Sequence, residues 1–132
     1  GLGYGAIVLT SGRFRSLLKV LDRLQDVLPA GGAQGEEPLF NVLGRHDGKS
    51  WRLVIFPRRK HRPDVYFLGE EDRMLITPGA FEMSGLIVVP REKDYSRMTK
   101  TSALRILREV GSPPGITARI AAYLSESFPA PR

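Results

Sequence analysis

Residues 39–57 read LFNVLGRHDGKSWRLVIFP, and their pattern indicates the fold class. Two apolar runs, Leu39–Arg45 and Ser50–Phe56, flank Asp47-Gly48, a dipeptide typical of tight turns between antiparallel strands. The stretch therefore predicts a β-hairpin. Pro57 ends the second strand, because proline has no backbone N–H to donate to a neighbouring strand.

A strand and an amphipathic helix are predicted before the hairpin. Ala6–Thr10 is the strand, and Ser11 is placed to cap a helix from Gly12 to Leu28. Apolar residues recur in this helix at spacings of three and four, which predicts one buried stripe. The stripe consists of Phe14, Leu17, Leu18, Leu21, Leu24 and Leu28. Residues 29–38 contain three glycines and predict an exposed connection.

Short strands and two helices are predicted after the hairpin. Tyr66–Leu68 and Leu75–Thr77 are candidate strands, and the apolar run Leu86–Val89 predicts a buried one. A helix from Thr101 to Val110 stops at Gly111. Another follows Pro113-Pro114, with one face formed by Ile116, Ile120, Tyr123 and Leu124.

The order of these elements predicts an α+β fold in which helices pack on a mainly antiparallel sheet. A chain of 132 residues with 42% hydrophobic and 26% charged residues is typical of one globular domain, here residues 1–132. The absence of cysteine excludes disulfides, thiolate metal ligands and cysteine nucleophiles. The apolar runs are shorter than the ~20 residues of a membrane span. We expect a cytoplasmic protein with no membrane partner and no cofactor.

The net charge of +6 comes from one segment. The chain has 20 Lys and Arg against 14 Asp and Glu. Residues 45–62 hold seven cations and one acid, a difference of +6, so the other 114 residues carry 13 of each sign. A neutral domain with one basic segment is unlike a generally polycationic protein. It indicates either a local anion site or a solvated loop.

The turn between Pro57 and Pro63 concentrates this charge. It reads Arg58-Arg59-Lys60-His61-Arg62, and the two prolines restrict its conformations. Like charges held together repel one another unless an anion relieves them, and guanidinium groups match phosphate geometry. Arg58, Lys60, His61 and Arg62 are therefore candidate phosphate ligands, with an exposed basic turn as an equal alternative. His46 and His61 lie in separate loops and predict no metal site.

Asn41 is a second candidate residue. Strand alternation places it on one face with Leu39 and Leu43, while Phe40 and Val42 face the other way. A polar amide in an apolar row needs hydrogen-bond partners, which are either backbone groups or a ligand. The small-residue loop at residues 77–85 either allows close approach to a ligand or only shapes a turn.

Four stretches together carry a family resemblance. They are Asn41-Val42-Leu43, then Trp51 with Val54–Arg58, then Met83–Val89, and finally Leu107–Pro113. In this order the chain resembles the C-terminal half of ATP adenylyltransferases, the diadenosine tetraphosphate phosphorylases. That family belongs to the histidine-triad nucleotidyltransferase group, with galactose-1-phosphate uridylyltransferase and the GDP-hexose phosphorylases. An uncharacterised bacterial branch is more similar, because it shares the Arg-x-Lys-His-Arg-Pro run of residues 58–63.

The resemblance implies a histidine-triad-like half domain and a two-step reaction. A histidine in a His-x-His-x-His or His-x-His-x-Gln strand attacks the α-phosphate of a nucleotide, and phosphate or a sugar phosphate then accepts the nucleotidyl group. The motif match supports Asn41 and Arg58 as nucleotide or phosphate contacts. For Lys60, His61 and Arg62 the support is charge and placement. The implied ligands are a nucleotide or dinucleoside polyphosphate and inorganic phosphate.

The nucleophilic motif itself is absent from these 132 residues, since the two histidines are 15 positions apart. The chain also begins with Gly1 rather than Met. We therefore expect the C-terminal half of a longer enzyme, with the N-terminal half of the parent protein as its partner and no catalytic residue of its own. The alternative is a natural stand-alone copy that binds a ligand without catalysis. In either case these 132 residues are not expected to be active alone.

Two other functions remain open. One is a nucleic-acid-binding module that uses the basic residues 45–62 with Trp51, Phe56 and Tyr66 nearby; its binding would weaken steeply with salt. The other is a non-catalytic structural or dimerisation domain, whose basic turn meets an acidic surface. A homodimer is a further candidate assembly of the chain.

Overall fold

The computed structural model describes residues 2–28 and 38–129. Within these ranges the chain forms one antiparallel sheet of three strands: β1 (Ile7–Ser11), β2 (Phe40–His46) and β3 (Trp51–Pro57). Their spatial order is β1-β3-β2. The most apolar strand, β3, is central and pairs on both sides, which confirms the predicted hairpin.

The described residues also form five α-helices and one short 3₁₀ turn at Asp64–Phe67. The helices are α1 (Phe14–Val27), α2 (Ala80–Met83), α3 (Glu92–Arg97), α4 (Lys100–Val110) and α5 (Pro114–Ser127). The α+β class is thus confirmed. The bounds of α4 and the start of α5 lie within one residue of the predicted positions. Among these residues no helix has the length and apolar character that crossing a bilayer requires.

One face of the sheet packs on α1 and α5. Alternation along the strands places Ile7 and Ile55 on this face, opposite the apolar stripes of the two helices. The buried members of this core are Ile7, Val20, Leu24, Leu28, Ile55, Ile120 and Leu124. Because α1 and α5 both contact this face, it is the larger of the two apolar layers.

The other face is only partly covered. Phe56 packs there with α2, α4 and the N-terminal segment, in a cluster completed by Tyr4, Met83, Leu107 and Val110. The hydroxyl of Tyr4 donates to the carbonyl of Met83 over 2.7 Å, which ties the chain start to α2. Toward the hairpin this cover ends, and Val8 on β1 is 57% exposed.

Three predicted strands are wrong. Residues 66–68 lie at the end of the 3₁₀ turn and beyond it, and residues 75–77 and 86–89 form neither strand nor helix. Leu86–Val89 was expected to be buried, yet Leu86 is 64% exposed and Val88 58% exposed. Ile87 alone packs on the partly covered sheet face, and Val89 contacts a small separate cluster of Met74, Ile76 and Ile106. An apolar run forms a strand only where a neighbouring strand offers backbone partners, and none is present beside this one in the described residues.

Details of the helices also differ from the predictions. Ser11 does not cap α1 itself; its hydroxyl accepts from the N–H of Arg13, the residue before the helix. Val20 replaces Phe14 and Leu18 on the buried stripe, because the helix is rotated so that those two lie at its exposed margin. Tyr123 on α5 is likewise partly exposed. The predicted exposed connection at residues 29–38 falls outside the described residues, apart from half-buried Pro38.

The segment between the 3₁₀ turn and α2 is held by a buried carboxylate. Asp94, which has no exposed surface, accepts from the N–H of Leu75 and from the guanidinium of Arg91 at distances of 2.8–3.1 Å. Arg91 also donates to the carbonyl of Arg73. These hydrogen bonds fix the course of this non-repetitive segment, although it forms no strand.

We predict that Gly111→Ala lowers the free energy of unfolding by about 1–3 kcal/mol. Gly111 ends α4 where α4 meets β3, and a Cβ there would lie 2.8 Å from Cβ of Tyr4 and 3.0 Å from the carbonyl oxygen of Leu107. Gly115→Ala is the matched control, because its Cβ would meet nothing within 4 Å on α5. It should be neutral or stabilise by up to ~1 kcal/mol. Urea unfolding measures both, and equal stabilities would contradict the predicted clash.

We predict that Asp94 makes the fold sensitive to acid. Hydrogen bonds from Arg91, and less strongly from the backbone of Leu75, lower the pKa of Asp94 despite the opposing effect of burial. A carboxylate with a lowered folded-state pKa stabilises the fold above its unfolded value, about pH 4, and this contribution is lost as the pH falls through the folded value. Stability should therefore rise with pH in that range.

In Asp94→Asn this part of the pH dependence should disappear, with lower stability at neutral pH and a shallower decline below about pH 4. Thermal unfolding across a pH series measures it. Glu126→Gln removes the same charge from an exposed position on α5 that has no ion pair in the described residues, and should leave the slope unchanged. An unaltered acid decline in Asp94→Asn would contradict the role of Asp94.

Candidate functional site: a basic turn beside an open sheet face

Arg58 is the first residue of the basic turn after β3, and it is a buried anchor, 5% exposed. Its guanidinium donates to Oδ1 of Asn41 over 3.0 Å, to the carbonyl of His61 over 2.7 Å, and to the carbonyl of Pro78. Three of its five N–H groups are thus used within the chain. Arg58 joins β2, the turn and the small-residue loop.

The backbone of Arg58 lies at the same junction. Its N–H donates to the carbonyl of Leu39 over 2.9 Å, and Arg58 forms an isolated antiparallel bridge with Gly111. Burial lowers the pKa of Arg58, while the nearby carboxylate of Glu82 raises it. Because an arginine titrates so far above neutrality, the buried group remains a cation.

Arg59 binds the C-terminal end of α4. Its Nε and Nη2 each donate over 2.9 Å to the carbonyls of Glu109 and Arg108. These carbonyls belong to the last turn of the helix, where the backbone has no helical donors and the helix dipole favours a cation. Arg59 therefore serves the fold.

Lys60 is paired with two carboxylates. Its Nζ lies 2.7 Å from Oδ1 of Asp64 and 2.9 Å from Oε1 of Glu109. The hydrogen bond to Asp64, followed by that to Glu109, raises the pKa of Lys60, and the same contact lowers the pKa of Asp64. Glu109 also accepts from the N–H of Asp64. This cluster fixes the start of the 3₁₀ turn against α4.

His61 and Arg62 differ from the other residues of the turn. The side chain of His61 is exposed and has no hydrogen bond or ion pair within residues 2–28 and 38–129. Arg62 stacks its guanidinium over the ring of Tyr66 at 4.6 Å from the centroid. His61 is therefore the side chain of the turn that is most available to a ligand.

Asn41 lies on the partly covered face of the sheet, as strand alternation predicted. The register pairs it with Phe56, and Leu43 and Val54 follow on the same face. Its Oδ1 is occupied by Arg58, whereas its Nδ2 makes no hydrogen bond in the described part of the chain. Arg58 therefore fixes the amide with its donor group unused.

The structure thus brings three of the five predicted site residues together: Asn41, Arg58 and the backbone of His61. Lys60 and Arg62 belong to the same turn, but their charged groups contact Glu109, Asp64 and Tyr66 instead. The small-residue loop joins the site through the carbonyl of Pro78, while the N–H of Gly79 donates to Glu82.

Two cations that the sequence analysis did not single out lie on the open part of the same face. Arg45 on β2 and Arg52 on β3 stand directly opposite each other, and both are exposed. The register of the hairpin is what brings these two arginines together. A turn at Asp47-Gly48 would pair Arg52 with Leu43, but the structure turns at Gly48-Lys49, which pairs it with Arg45.

Other features of the surface do not add to this site. No group of three His, Asp or Glu side chains in the described ranges is arranged to hold a metal ion. Two surface grooves lie beside α1 and α5, one of them along β1, and neither is lined by a residue of the basic turn.

We predict that Arg58→Met lowers the free energy of unfolding by about 2–4 kcal/mol, because it leaves the carbonyls of Pro78 and His61 and the amide of Asn41 without a donor. Arg58→Lys should not restore stability, since one ammonium cannot replace the planar fork. Arg105→Met, at an exposed position on α4, should change stability by less than ~0.5 kcal/mol. Chemical unfolding decides, and an Arg58→Met protein as stable as the parent would contradict the anchor role.

Comparison with known proteins identifies a family. The chain matches the family model described as "GDPGP1-like, C-terminal domain" over residues 5–114, a range that includes β1, the hairpin, the basic turn and α4. No curated protein and no solved structure matches the chain. The matched family is related to the ATP adenylyltransferases named by the resemblance but is not identical to them. A C-terminal domain implies a parent protein with another domain. Since 110 of the 132 residues are matched, the chain belongs to the GDPGP1-like C-terminal domain family.

Proposed function

We propose that the chain is the nucleotide- and phosphate-binding C-terminal half of a histidine-triad-type nucleotidyltransferase that acts as a phosphorylase. Two observations support this: the family match, and the fixed amide of Asn41 beside the buried charge of Arg58. Of the two substrate classes implied by the resemblance, we favour a nucleotide sugar over a dinucleoside polyphosphate. The reason is that the matched family is distinct from the ATP adenylyltransferases.

The contact with Asn41 carries the proposal. Arg58 holds Oδ1 of Asn41 at 3.0 Å, so the amide cannot turn its oxygen toward a ligand without breaking that bond. The Nδ2 group is left to donate, and an amide donor of fixed orientation suits a phosphate oxygen. Because Asn41 is only half-buried, its Nδ2 group is accessible to a ligand at the surface of the sheet.

The residues of the basic turn would contribute in two ways. His61, which is exposed, would donate directly to a phosphate oxygen. Arg58 and Lys60 would act mainly through charge, because their hydrogen bonds serve the chain itself. A buried cation acts through surroundings of low dielectric, where its attraction for an anion is stronger than in water. Arg62 would hold Tyr66 and the turn in place.

The chemistry would need a nucleophile from the other domain of the parent protein. Its imidazole nitrogen would attack the α-phosphorus of the nucleotide sugar, breaking the bond to the bridging oxygen and releasing a sugar phosphate. Inorganic phosphate would then attack the same phosphorus, release the imidazole and form a nucleoside diphosphate. This half would bind the α-phosphate and stabilise the charge on its oxygens.

The test uses the parent protein with nucleotide sugars that carry different bases. We expect phosphate-dependent release of a nucleoside diphosphate and a sugar 1-phosphate, measured by anion-exchange chromatography. In Asn41→Asp the acceptor for Arg58 is kept, but the donor is lost and a negative charge faces the phosphate. This should lower kcat/KM by about 10- to 100-fold, equivalent to ~1.5–3 kcal/mol.

Gln25→Glu makes the same change of charge on exposed α1 and should retain full activity. Both variants should unfold at the temperature of the parent protein. The proposal is wrong if no nucleotide sugar is cleaved and no nucleotidylated enzyme forms. It is also wrong in its assignment of Asn41 if Asn41→Asp is as active as Gln25→Glu.

A further inference from the structure

Three of the seven cations in residues 45–62 make no side-chain hydrogen bond or ion pair with the residues that the structure describes. The four in the basic turn bind carbonyls, carboxylates or an aromatic ring within the chain. Arg45, Lys49 and Arg52 at the hairpin end have no hydrogen bond or ion pair from their side chains in the described ranges. The unsatisfied part of the net charge thus lies on the hairpin rather than in the turn.

The register brings two of these cations close together. Arg45 pairs with Arg52, and Thr10 on β1 pairs with Arg52 from the other side. In the same register, the pairs Asp47–Ser50 and Leu39–Arg58 are joined by backbone hydrogen bonds. Arg45–Arg52 is an even number of residues from both pairs, and hydrogen-bonded pairs alternate with non-hydrogen-bonded ones. The two arginines therefore form a hydrogen-bonded pair whose Cα atoms are about 5.5 Å apart, with side chains on one face.

Such an arrangement is unfavourable in the free protein. Like charges directly opposite each other on a sheet are destabilising, and both arginines face the solvent-exposed part of the sheet. Asp47 is the one acid of the segment, and its carboxylate binds the N–H groups of Ser50 and Lys49. Those bonds, with a smaller effect of Arg45, lower the pKa of Asp47 to about 2. Its charge offsets only part of the cationic charge nearby.

The next row of side chains on this face is apolar. Val54 pairs with Val8 on one side and with Leu43 on the other, and Val8 is 57% exposed. The face thus presents a row with two guanidinium groups and a hydroxyl beside a row of aliphatic side chains. A ligand that fits both rows carries an oxyanion at one end and carbon atoms next to it.

We propose that Arg45, Arg52 and Thr10 form a second anion subsite, which binds a phosphate dianion. Two guanidinium groups provide planar pairs of donors for the phosphate oxygens, and the hydroxyl of Thr10 provides a third group. The source is either inorganic phosphate or a phosphate ester whose carbon part packs on Val8 and Val54. The expectation that a phosphate is the anion rests on the proposed function.

This subsite is separate from the position of Asn41. Asn41 and Arg45 are four residues apart on one strand and one face, which corresponds to about 13 Å. A single phosphate cannot contact both. The subsite would therefore hold the phosphate group that is not being attacked, while Asn41 and the basic turn hold the one that is.

The test measures binding to this chain alone, by NMR titration of the backbone and arginine Nε–H signals at constant ionic strength. The probes are inorganic phosphate and a hexose 1-phosphate, with chloride as the reference anion. We expect saturable shifts at Thr10, Arg45 and Arg52 with either phosphate and none with chloride. Tighter binding of the hexose 1-phosphate would identify an ester as the source, and equal binding would identify free phosphate.

Arg52→Gln should weaken phosphate binding at least tenfold, whereas Arg119→Gln, an exposed position on α5 with the same loss of charge, should not. In phosphate-free buffer Arg52→Gln should also raise the melting temperature by about 1–4 °C, because the like-charge pair is removed. Binding that is unaltered in Arg52→Gln, or lost equally in Arg119→Gln, would overturn the subsite.

The same titration on the parent protein separates the remaining possibilities. If phosphate shifts the same signals there, the subsite is open to ligand in the complete protein. If those signals do not respond to phosphate and already differ from those of the chain alone before phosphate is added, the arginines pair with acids of the other domain, and the proposal fails. Either result leaves the proposed function to its own assay, which measures cleavage of a nucleotide sugar.

Discussion

The buried guanidinium of Arg58 is the interaction on which the junction of this domain depends. Its backbone joins β2 to the end of α4, and its side chain binds β2, the basic turn and the small-residue loop. A buried cation is costly unless hydrogen bonds compensate it, and here two carbonyls and an amide oxygen do so. Because these acceptors come from three different segments, the cost of burying one charge is offset only when all three are in place. The position of Asn41 follows from that requirement.

The basic segment divides according to what the surrounding fold offers. Near α4, the free carbonyls of the last helical turn and the carboxylate of Glu109 attract Arg59 and Lys60. At the hairpin end the side chains of Arg45 and Arg52 make no hydrogen bond or ion pair with residues 2–28 and 38–129. The seven cations of these 18 residues therefore fall into two groups. Four bind groups of the chain and stabilise a junction, and three at the hairpin end make no side-chain hydrogen bond or ion pair in the described residues.

Local patterns sufficed where each element formed its own hydrogen bonds. The hairpin, α1, α4 and α5 were predictable because turn chemistry and helical spacing act over a few residues. Leu86–Val89 was not, since a strand needs a neighbour that no local pattern supplies. At the site, Asn41 was predictable from alternation, but its contact with Arg58 spans 17 positions. The pairing of Arg45 with Arg52 was missed because it depends on the turn position to a single residue, and a shift of one residue changes every pair.

The partly covered face of the sheet contains both the contact of Asn41 with Arg58 and the pair Arg45–Arg52. Its covered end is built by Phe56, Met83 and Val110 and fixes Asn41 through Arg58, while its open end presents charge and aliphatic surface without a partner in the described residues. A self-sufficient domain gains stability by covering apolar surface and separating like charges. The open end of this face does neither. In a domain that belongs to a longer protein, such a surface is retained when a ligand or another domain occupies it. The paired guanidinium groups at the open end match the geometry of an oxyanion and favour a ligand.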